Sequence, residues 1–397
     1  MKIALTSTVI PPGPTGQARV LGHLLAGRNV DDVLLLTDQA DGGLDEDAPP
    51  LGRVEVLQPP RFSMSSLTNR SFLRPWDNRL ALAVTIRKRA GEIAIAAKSH
   101  RSEVLIGCSG NPFDLSSTYL AARRLRLPFI AYLFDDPVLQ WPEGIYRSLA
   151  ASWEPKWARG AARIIVPNEV LAEDIAERQP DARTALVRNP VPDDVFTVLA
   201  AHKRPDRAPA RIVYTGTIYS AQADAVHNLV AALDKGNGAH ELHIYTHQAP
   251  EQLKELGIAG PHVHVHSHLT QQQSYAAQRE ADILLLPLAF AKDVRQVIRS
   301  SAPGKLAEYL ASGTPVLAHA PEGSFVARFF QKHECGVLAD QPDVDALTQA
   351  LGRLGDAALR KQLVANALDA AQRFTLGRVR RSFDEALDAA RRGERDE

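Results

Sequence analysis

The sequence predicts an α/β protein of two doubly wound, Rossmann-like domains whose parallel sheets face a central cleft. Three observations carry this prediction. At 397 residues the chain exceeds what one hydrophobic core ordinarily organises. Short apolar runs alternate with helical stretches, the order that parallel strands and crossover helices require. The alternation lapses around Thr197–Ala210 and then begins again. An apolar fraction of 45% is enough to build two cores.

The elements follow in chain order. "KIALTSTV" reads as a strand, "GQARVLGHLLAGR" as a helix and "DDVLLLTD" as the next strand. Then come "SEVLIGCSG", "LSSTYLAARRLRL", "PFIAYLFDD" and "ARIIVPN". The strands are continuous apolar runs, as expected when helices cover both faces of a sheet. These elements make a first domain over 1–197. Prolines and basic residues with little apolar periodicity mark a linker over 198–210. The second domain, 211–371, runs through "ARIVYTG", "DAVHNLVAALD", "ELHIYTH", "HVHVHSHL", "ADILLLP", "GKLAEYLASG" and "PVLAHA". The segment 372–397 is a charged amphipathic helix expected to pack back toward the first domain. Ligands of open α/β sheets lie beyond the carboxyl ends of the strands, so the cleft is the expected site before any chemistry is considered.

Composition removes several functions. Lys+Arg and Asp+Glu each count 46, and this balance argues against a nucleic-acid partner. Cys108 and Cys335 stand far apart and form no disulfide framework or zinc ribbon. "MKIALTSTVIPPG" meets prolines too early for a signal peptide, and "ADILLLPLAF" is too short to span a bilayer. A reduced, cytoplasmic setting is expected. Arg61–Ala90 is basic, with Phe62, Met64, Phe72, Leu73 and Trp76 interleaved. That mixture suits the anionic cytoplasmic face of a membrane, and equally a solvated helix with core anchors. Trp141, Tyr146, Trp153 and Trp157 either extend this patch or pack inside. "HVHVHSHL" sets His262, His264, His266 and His268 on one side of a strand. With no supporting constellation evident in the sequence, they read as a polar strand face, and no metal is expected.

Chemistry concentrates in "SAPGKLAEYLASGTPVLA", Ser301–Ala318. Pro303 suits the first turn of a helix, where its missing N–H would be unpaired anyway. Ser301 is placed to cap that helix. A helix start attracts anions through its free N–H groups and its dipole. Ser301, Lys305 and Glu308 fall at i, i+4 and i+7, roughly one face. A phosphate would meet Ser301, the backbone and Lys305, and Glu308 could then hold two sugar hydroxyls. Spacing alone equally allows a solvated Lys305–Glu308 pair worth about 0.2–0.5 kcal/mol.

"KLAEYLASGTPVLA", with "ADILLLPL" before it, resembles the donor-binding region of the GT-B glycosyltransferases, above all the large retaining family four. "RIIVPNEVLAEDI" with "LVRNPVPDDVF", "RIVYTGTI" and "PPGPTGQARVLGHLLA" are similar to other segments of that family, in the right order. The likeness covers most of the chain and is weakest over 40–100. It implies transfer of a sugar from a nucleotide-diphosphate sugar to a sugar, lipid-linked glycan or small molecule, with retention and without metal or cofactor. A place in bacterial polysaccharide or glycan biosynthesis fits. Glu308 falls on the family's ribose-binding glutamate. Ser301, Gly304 and Lys305 fall at the phosphate-facing helix start. Gly16 and Gly216 fall where backbone approaches the diphosphate, and a glycine permits that approach because it has no side chain. Two departures stand out. Ser300 occupies the position of a sugar-contacting glutamate. Thr217 follows Gly216 where many members carry arginine, and no lysine follows in "IYSAQADAV". Arg295, Arg299 and Lys305 are the cations left to neutralise a diphosphate.

In the first domain, "PFIAYLFDDPVLQW" ends a strand at Asp135 and Asp136. Either carboxylate could bind sugar hydroxyls or hold an acceptor proton, with Asp135 preferred. Adjacent aspartates before a proline could also open a turn. Ser109 and Asn111, in "GCSGNPFD", could reach an acceptor or form a plain turn. The resemblance implies front-face attack with the departing phosphate taking the acceptor's proton, so positioning and diphosphate stabilisation dominate. Two other readings remain at this stage: a nucleotide-sugar epimerase of the same fold, and a non-catalytic nucleotide-sugar or glycan-binding protein.

Overall fold

A computed structural model describes residues 1–13, 15–39, 50–59, 74–193, 195, 209–236 and 238–393, with 74–79 described by their backbone alone. The chain divides into two compact units. Unit 1 is Met1–Arg188 with Val379–Glu397, and unit 2 is Asn189–Arg378. The expected linker, 198–210, lies almost wholly outside the described residues, as do Phe62, Met64, Phe72, Leu73 and the Trp76 side chain.

In unit 1 the strands are β1 (Ile3–Thr6), β2 (Val33–Thr37), β3 (Arg53–Val56), β4 (Val104–Cys108), β5 (Phe129–Tyr132), β6 (Arg163–Val166) and β7 (Thr184–Leu186). They form one sheet in the order β3-β2-β1-β4-β5-β6-β7, every described pair parallel. The helices are α1 (Gly16–Leu25), α2 (Arg74–His100), α3 (Asp114–Leu125), α4 (Ile145–Gly160) and α5 (Glu169–Arg178). Every residue of β1, β2, β4, β5 and β6 is buried, because helices cover both faces. Alternate residues feed two cores. Ala4, Leu36, Leu105 and Ala131 enter one, and Ile3, Leu5, Ile106 and Tyr132 enter the other.

Unit 2 holds β8 (Ala210–Thr215), β9 (His240–Tyr245), β10 (Val263–His266), β11 (Ile283–Pro287), β12 (Val316–His319) and β13 (Val337–Ala339). Their order is β10-β9-β8-β11-β12-β13, again parallel, which repeats the arrangement of the first six strands of unit 1. Its helices are α6 (Ala223–Lys235), α7 (Pro250–Glu255), α8 (Gln271–Glu280), α9 (Arg295–Arg299), α10 (Gly304–Ala311), α11 (Phe325–His333), α12 (Val344–Arg353) and α13 (Ala357–Ala371). The strand order reverses between β1 and β4 in unit 1 and between β8 and β11 in unit 2. Ligands of open sheets bind beyond the carboxyl ends at such switch points.

The last helix, α14 (Leu376–Arg392), puts Val379, Phe383 and Leu387 into the core of unit 1 beside Ile3 and Leu5. Burying each such side chain contributes about 1.5–3 kcal/mol. Arg380 Nε donates to the His23 carbonyl at 2.8 Å, and Arg28 pairs with Asp384. Of the aromatic group on α4, Trp157 is core, while Tyr146 is exposed and packs edge-on against Phe113.

Candidate functional site

In unit 2 the site forms where β8 ends. Gly216 follows Thr215 with φ +112°, a conformation that side chains other than glycine's strain to adopt. Its N–H donates to the Tyr245 carbonyl at 2.7 Å. The Lys305 side chain lies over it, so that a Cβ on Gly216 would stand 2.9 Å from Lys305 Nζ. The ammonium also sits 5.0 Å from the centroid of the Tyr214 ring. No carboxylate pairs with Lys305 among the described residues, so the solvated Lys305–Glu308 pair is not what the chain forms. A positive charge is instead held over a bare backbone at a strand's carboxyl end, the arrangement a diphosphate needs.

Glu308 lies one turn further along α10. Its Oε2 accepts from Gln278 Nε2 at 3.3 Å, and the same amide nitrogen lies 3.3 Å from Thr215 Oγ1. Gln278 is buried, and its main-chain carbonyl accepts from Thr314 Oγ1 at 2.7 Å. The amide thereby fixes one carboxylate oxygen of Glu308. Buried Tyr309 faces β8, where the Thr215 N–H donates to its hydroxyl at 3.4 Å. The sequence offers no sign of Gln278, because α8 carries four glutamines and only packing distinguishes this one from the others.

The helix start differs from expectation. α10 begins at Gly304 with Pro303 at its cap position and no side-chain cap. Ser301 therefore does not cap it, and its N–H turns back to the Ile298 carbonyl at 3.2 Å. Proline drives the preceding residue out of helical conformation, which stops the helix from reaching back to Ser301. Asn189 Nδ2 holds the Ala302 carbonyl at 2.9 Å and so fixes this entry. Gly304 is exposed, and a Cβ there would meet nothing within 4 Å. Arg295 is exposed and Arg299 half-buried, both on the five-residue α9. Ser300 is buried. Thr217 is exposed, and its carbonyl accepts from the Tyr214 hydroxyl at 2.9 Å.

In unit 1 the candidate residues separate. α1 begins at Gly16 behind Thr15, whose Oγ1 accepts from the Ala18 N–H at 3.2 Å. A Cβ on Gly16 would meet nothing within 4 Å, leaving its backbone open to an approaching ligand. Asp136 is committed to structure. Its Oδ1 accepts from the Val138 and Leu139 N–H groups at 2.9 and 2.7 Å, and its Oδ2 accepts from Arg178 at 2.8 Å. This geometry favours the turn-forming reading of Asp136. Asp135 is half-buried and makes no hydrogen bond among the described residues. Burial first, and the Asp136 charge second, push its carboxyl above the usual range.

Ser109 and Asn111 both have local partners. Ser109 Oγ accepts from the Phe134 N–H at 3.0 Å, and its carbonyl accepts from Gln140 at 2.9 Å. Asn111 Oδ1 accepts from the Phe113 N–H at 2.8 Å, while its Nδ2 donates to Asp38 at 3.2 Å. Asp38 belongs to a buried network the sequence did not reveal. Arg89 Nε donates to Asp114 Oδ1 at 2.7 Å, and the same guanidinium lies 3.4 Å from Asp38. Arg89, one of the basic residues of Arg61–Ala90, is thus interior and offers nothing to a membrane. Burial pushes the Asp114 carboxyl up to about 6.

Asp135 carries a prediction with two readouts. Its raised pKa means that stability falls as pH rises from the ordinary carboxylate value through the raised one, because the charged form is the one burial disfavours. Asp135→Asn should therefore unfold at a higher temperature than the parent at neutral pH. If the carboxylate serves the reaction, the same variant should lose transfer activity and the acid limb of the kcat/KM profile. A variant fully active with an unchanged profile would remove Asp135 from the chemistry.

Residues 13–190 match the family model described as a glycosyl transferase 4-like domain, and residues 209–356 match that of the glycosyl transferases group 1. No curated protein matches by sequence. Among solved structures, a sucrose-phosphate synthase from Thermosynechococcus elongatus superposes with a TM-score of 0.65 at 16% identity, covering 98% of both chains. HepE of Anabaena, in complex with UDP and glucose, gives 0.63 at 15%, covering 98% of this chain and 99% of its own. An α,α-trehalose-phosphate synthase (UDP-forming) from Burkholderia xenovorans, in complex with glucose-6-phosphate, gives 0.66 at 12%, covering 97% and 99%. Fold and matches together define a GT-B glycosyltransferase. The chain belongs to the group 1, family-four type of these enzymes.

Proposed function

We propose that this protein transfers a sugar from a nucleoside-diphosphate sugar to a hydroxyl of a carbohydrate or lipid-linked acceptor, with retention at the anomeric carbon. The observation that carries the reading is the Lys305 ammonium over Gly216, with Glu308 one turn along the same helix. Lys305, the Gly216 backbone and the start of α10 take the diphosphate, Glu308 takes the ribose, and Asp135 is the acceptor-side carboxylate. Fixed positive charge would let the diphosphate leave without a metal or cofactor. HepE in complex with UDP-glucose supports uridine as the first base to test. WaaG, described as a glycosyltransferase of lipopolysaccharide biosynthesis, superposes with a TM-score of 0.60 and supports a bacterial glycan as acceptor. No helix among the described residues is long and apolar enough to cross a membrane, so contact with a lipid-linked acceptor at the cytoplasmic face would be peripheral.

The test is binding of UDP and other nucleoside diphosphates to the parent and to Glu308→Gln. The parent should be stabilised selectively by one base, by about 2.7 kcal/mol at one hundred times the dissociation constant. Glu308→Gln should weaken that ligand by about 1–3 kcal/mol, because a charge-assisted pair of hydrogen bonds is lost. Equal affinity in the variant would sink the ribose assignment. Selective binding with no turnover in any acceptor mixture would instead favour the binding-protein reading that Ser300 and Thr217 motivate.

A further inference from the structure

Away from the end of β8, one group of side chains converges in a way that sugar transfer does not use. Glu241 and His243 alternate on one face of β9, and the ladder pairs His243 with His264 on the edge strand β10. Oε2 of Glu241 lies 3.5 Å from His243 Nε2 and 3.5 Å from His264 Nε2, and all three atoms fall within 4.8 Å of one another. Two lone-pair nitrogens and a carboxylate oxygen at this spacing are a ligand set. A tetrahedral zinc ion with bonds of about 2.0–2.2 Å separates neighbouring ligand atoms by about 3.4 Å.

Two further features suit a cation. His264 Nε2 is closed to solvent and makes no hydrogen bond among the described residues. The second nitrogen of His243, Nδ1, lies 2.9 Å from His266 Nε2. With the His243 proton on Nδ1, donated to His266, the Nε2 lone pair is left facing Glu241. Such an outer hydrogen bond is what fixes the tautomer of a metal-ligating histidine. His266 is held in turn by stacking on Tyr245 at 4.6 Å between ring centroids. Arg211 is the cation nearest this face along the ladder, where its register partner is Glu241. Its guanidinium is engaged by the Tyr245 hydroxyl and ring, and the Glu241 carboxylate is left to the histidines.

We propose that Glu241, His243 and His264, oriented by His266, bind one zinc-class divalent cation that ties edge strand β10 to β9, with a fourth position left to water. The sequence expectation of no metal rested on the lack of a supporting constellation, and β9 supplies one that no local spacing reveals. The site lies near the start of the strands. Glu241 pairs with Arg211 and His243 with Val213 of β8, while Gly216 follows its last residue, so the ligands stand about 10–17 Å from it along the strand. The ion is therefore structural or regulatory rather than a participant in transfer.

The experiment is calorimetric titration of the chelator-stripped full chain with zinc chloride at pH 7.5. One ion should bind in the micromolar range or tighter. Zinc at one hundred times its dissociation constant should raise the unfolding midpoint by about 5–10 °C. Cobalt(II) at the same site should develop the intense visible bands of four-coordinate geometry. His264→Ala and Glu241→Gln should each weaken binding at least tenfold, and His266→Ala by about 10–100-fold through the lost orientation. His227→Ala, at a histidine bonded to the Gly257 carbonyl, should bind as the parent does. Glu241→Gln keeps shape and volume and remains informative if His264→Ala fails to fold. No saturable binding by the parent overturns the proposal. So does parental affinity in His264→Ala, or a loss that follows His268→Ala instead.

Discussion

Lys305→Met is expected to lower kcat/KM for sugar transfer by about 10²–10³-fold while leaving the unfolding midpoint within a degree or two. The kinetic magnitude is that of removing one preorganised group from a developing negative charge, about 2.7–4 kcal/mol. In the proposed transfer, charge grows on the diphosphate as the glycosidic bond breaks, so the ammonium would be worth more in the transition state than in the bound donor. The loss should appear in kcat more than in the dissociation constant for the nucleotide. The expectation is sharp here because two supports that the family resemblance implies are missing: Thr217 rather than arginine follows Gly216, and "IYSAQADAV" holds no lysine. Methionine keeps the length that covers Tyr214 and Gly216, so packing is preserved and charge alone is removed. Stability should hold because Lys305 is half-buried and pairs with no carboxylate among the described residues. A variant with kcat/KM within threefold of the parent would show that the diphosphate is neutralised elsewhere, with Arg295 and Arg299 the next to replace.

How far the sequence could be read follows from which interactions are local. The apolar runs of β1, β4 and β11 are legible because a strand covered on both faces must be apolar along its length. Lys305 and Glu308 are legible because three residues of helix place them on neighbouring turns. The helix start is less so. Ser301 has the right residue type for a cap, but Pro303 governs the conformation before it, and the entry is fixed by Asn189, far away in sequence. Gln278 and the Arg89–Asp38–Asp114 network come from elements that only the sheet order brings together. The histidines of β10 show the same limit. Their alternation is plain, while the glutamate and histidine that complete a ligand set stand on another strand. The sequence preferred Asp135 to Asp136 but gave no physical ground for separating them. What separates them is Arg178, three elements further along the chain, which pairs with Asp136.

That arginine carries the largest stability effect expected outside the hydrophobic cores. Arg178 donates at 2.8 Å to Asp136 and at 2.9 Å to Glu154, whose side chains are 0% and 5% exposed. Arg178→Met should destabilise the protein by about 3–5 kcal/mol, because it strands two buried carboxylates without a cation. The cost is mostly the penalty left behind rather than the strength of the pair. Combining Arg178→Met with Asp136→Asn and Glu154→Gln should therefore recover much of the loss. The pH dependence has a definite sign. Burial already holds the Glu154 carboxyl above the usual range, and without the guanidinium it should titrate higher still. Folded-state values above unfolded ones mean that stability falls as pH rises through that window. The deficit of Arg178→Met should be largest near pH 7 and should shrink as acid protonates Glu154. Denaturant unfolding of the parent, the single variant and the triple variant at two pH values checks this. A single variant within 1 kcal/mol of the parent at pH 7 would mean that water reaches both carboxylates. Asp136 would then be available to the chemistry alongside Asp135.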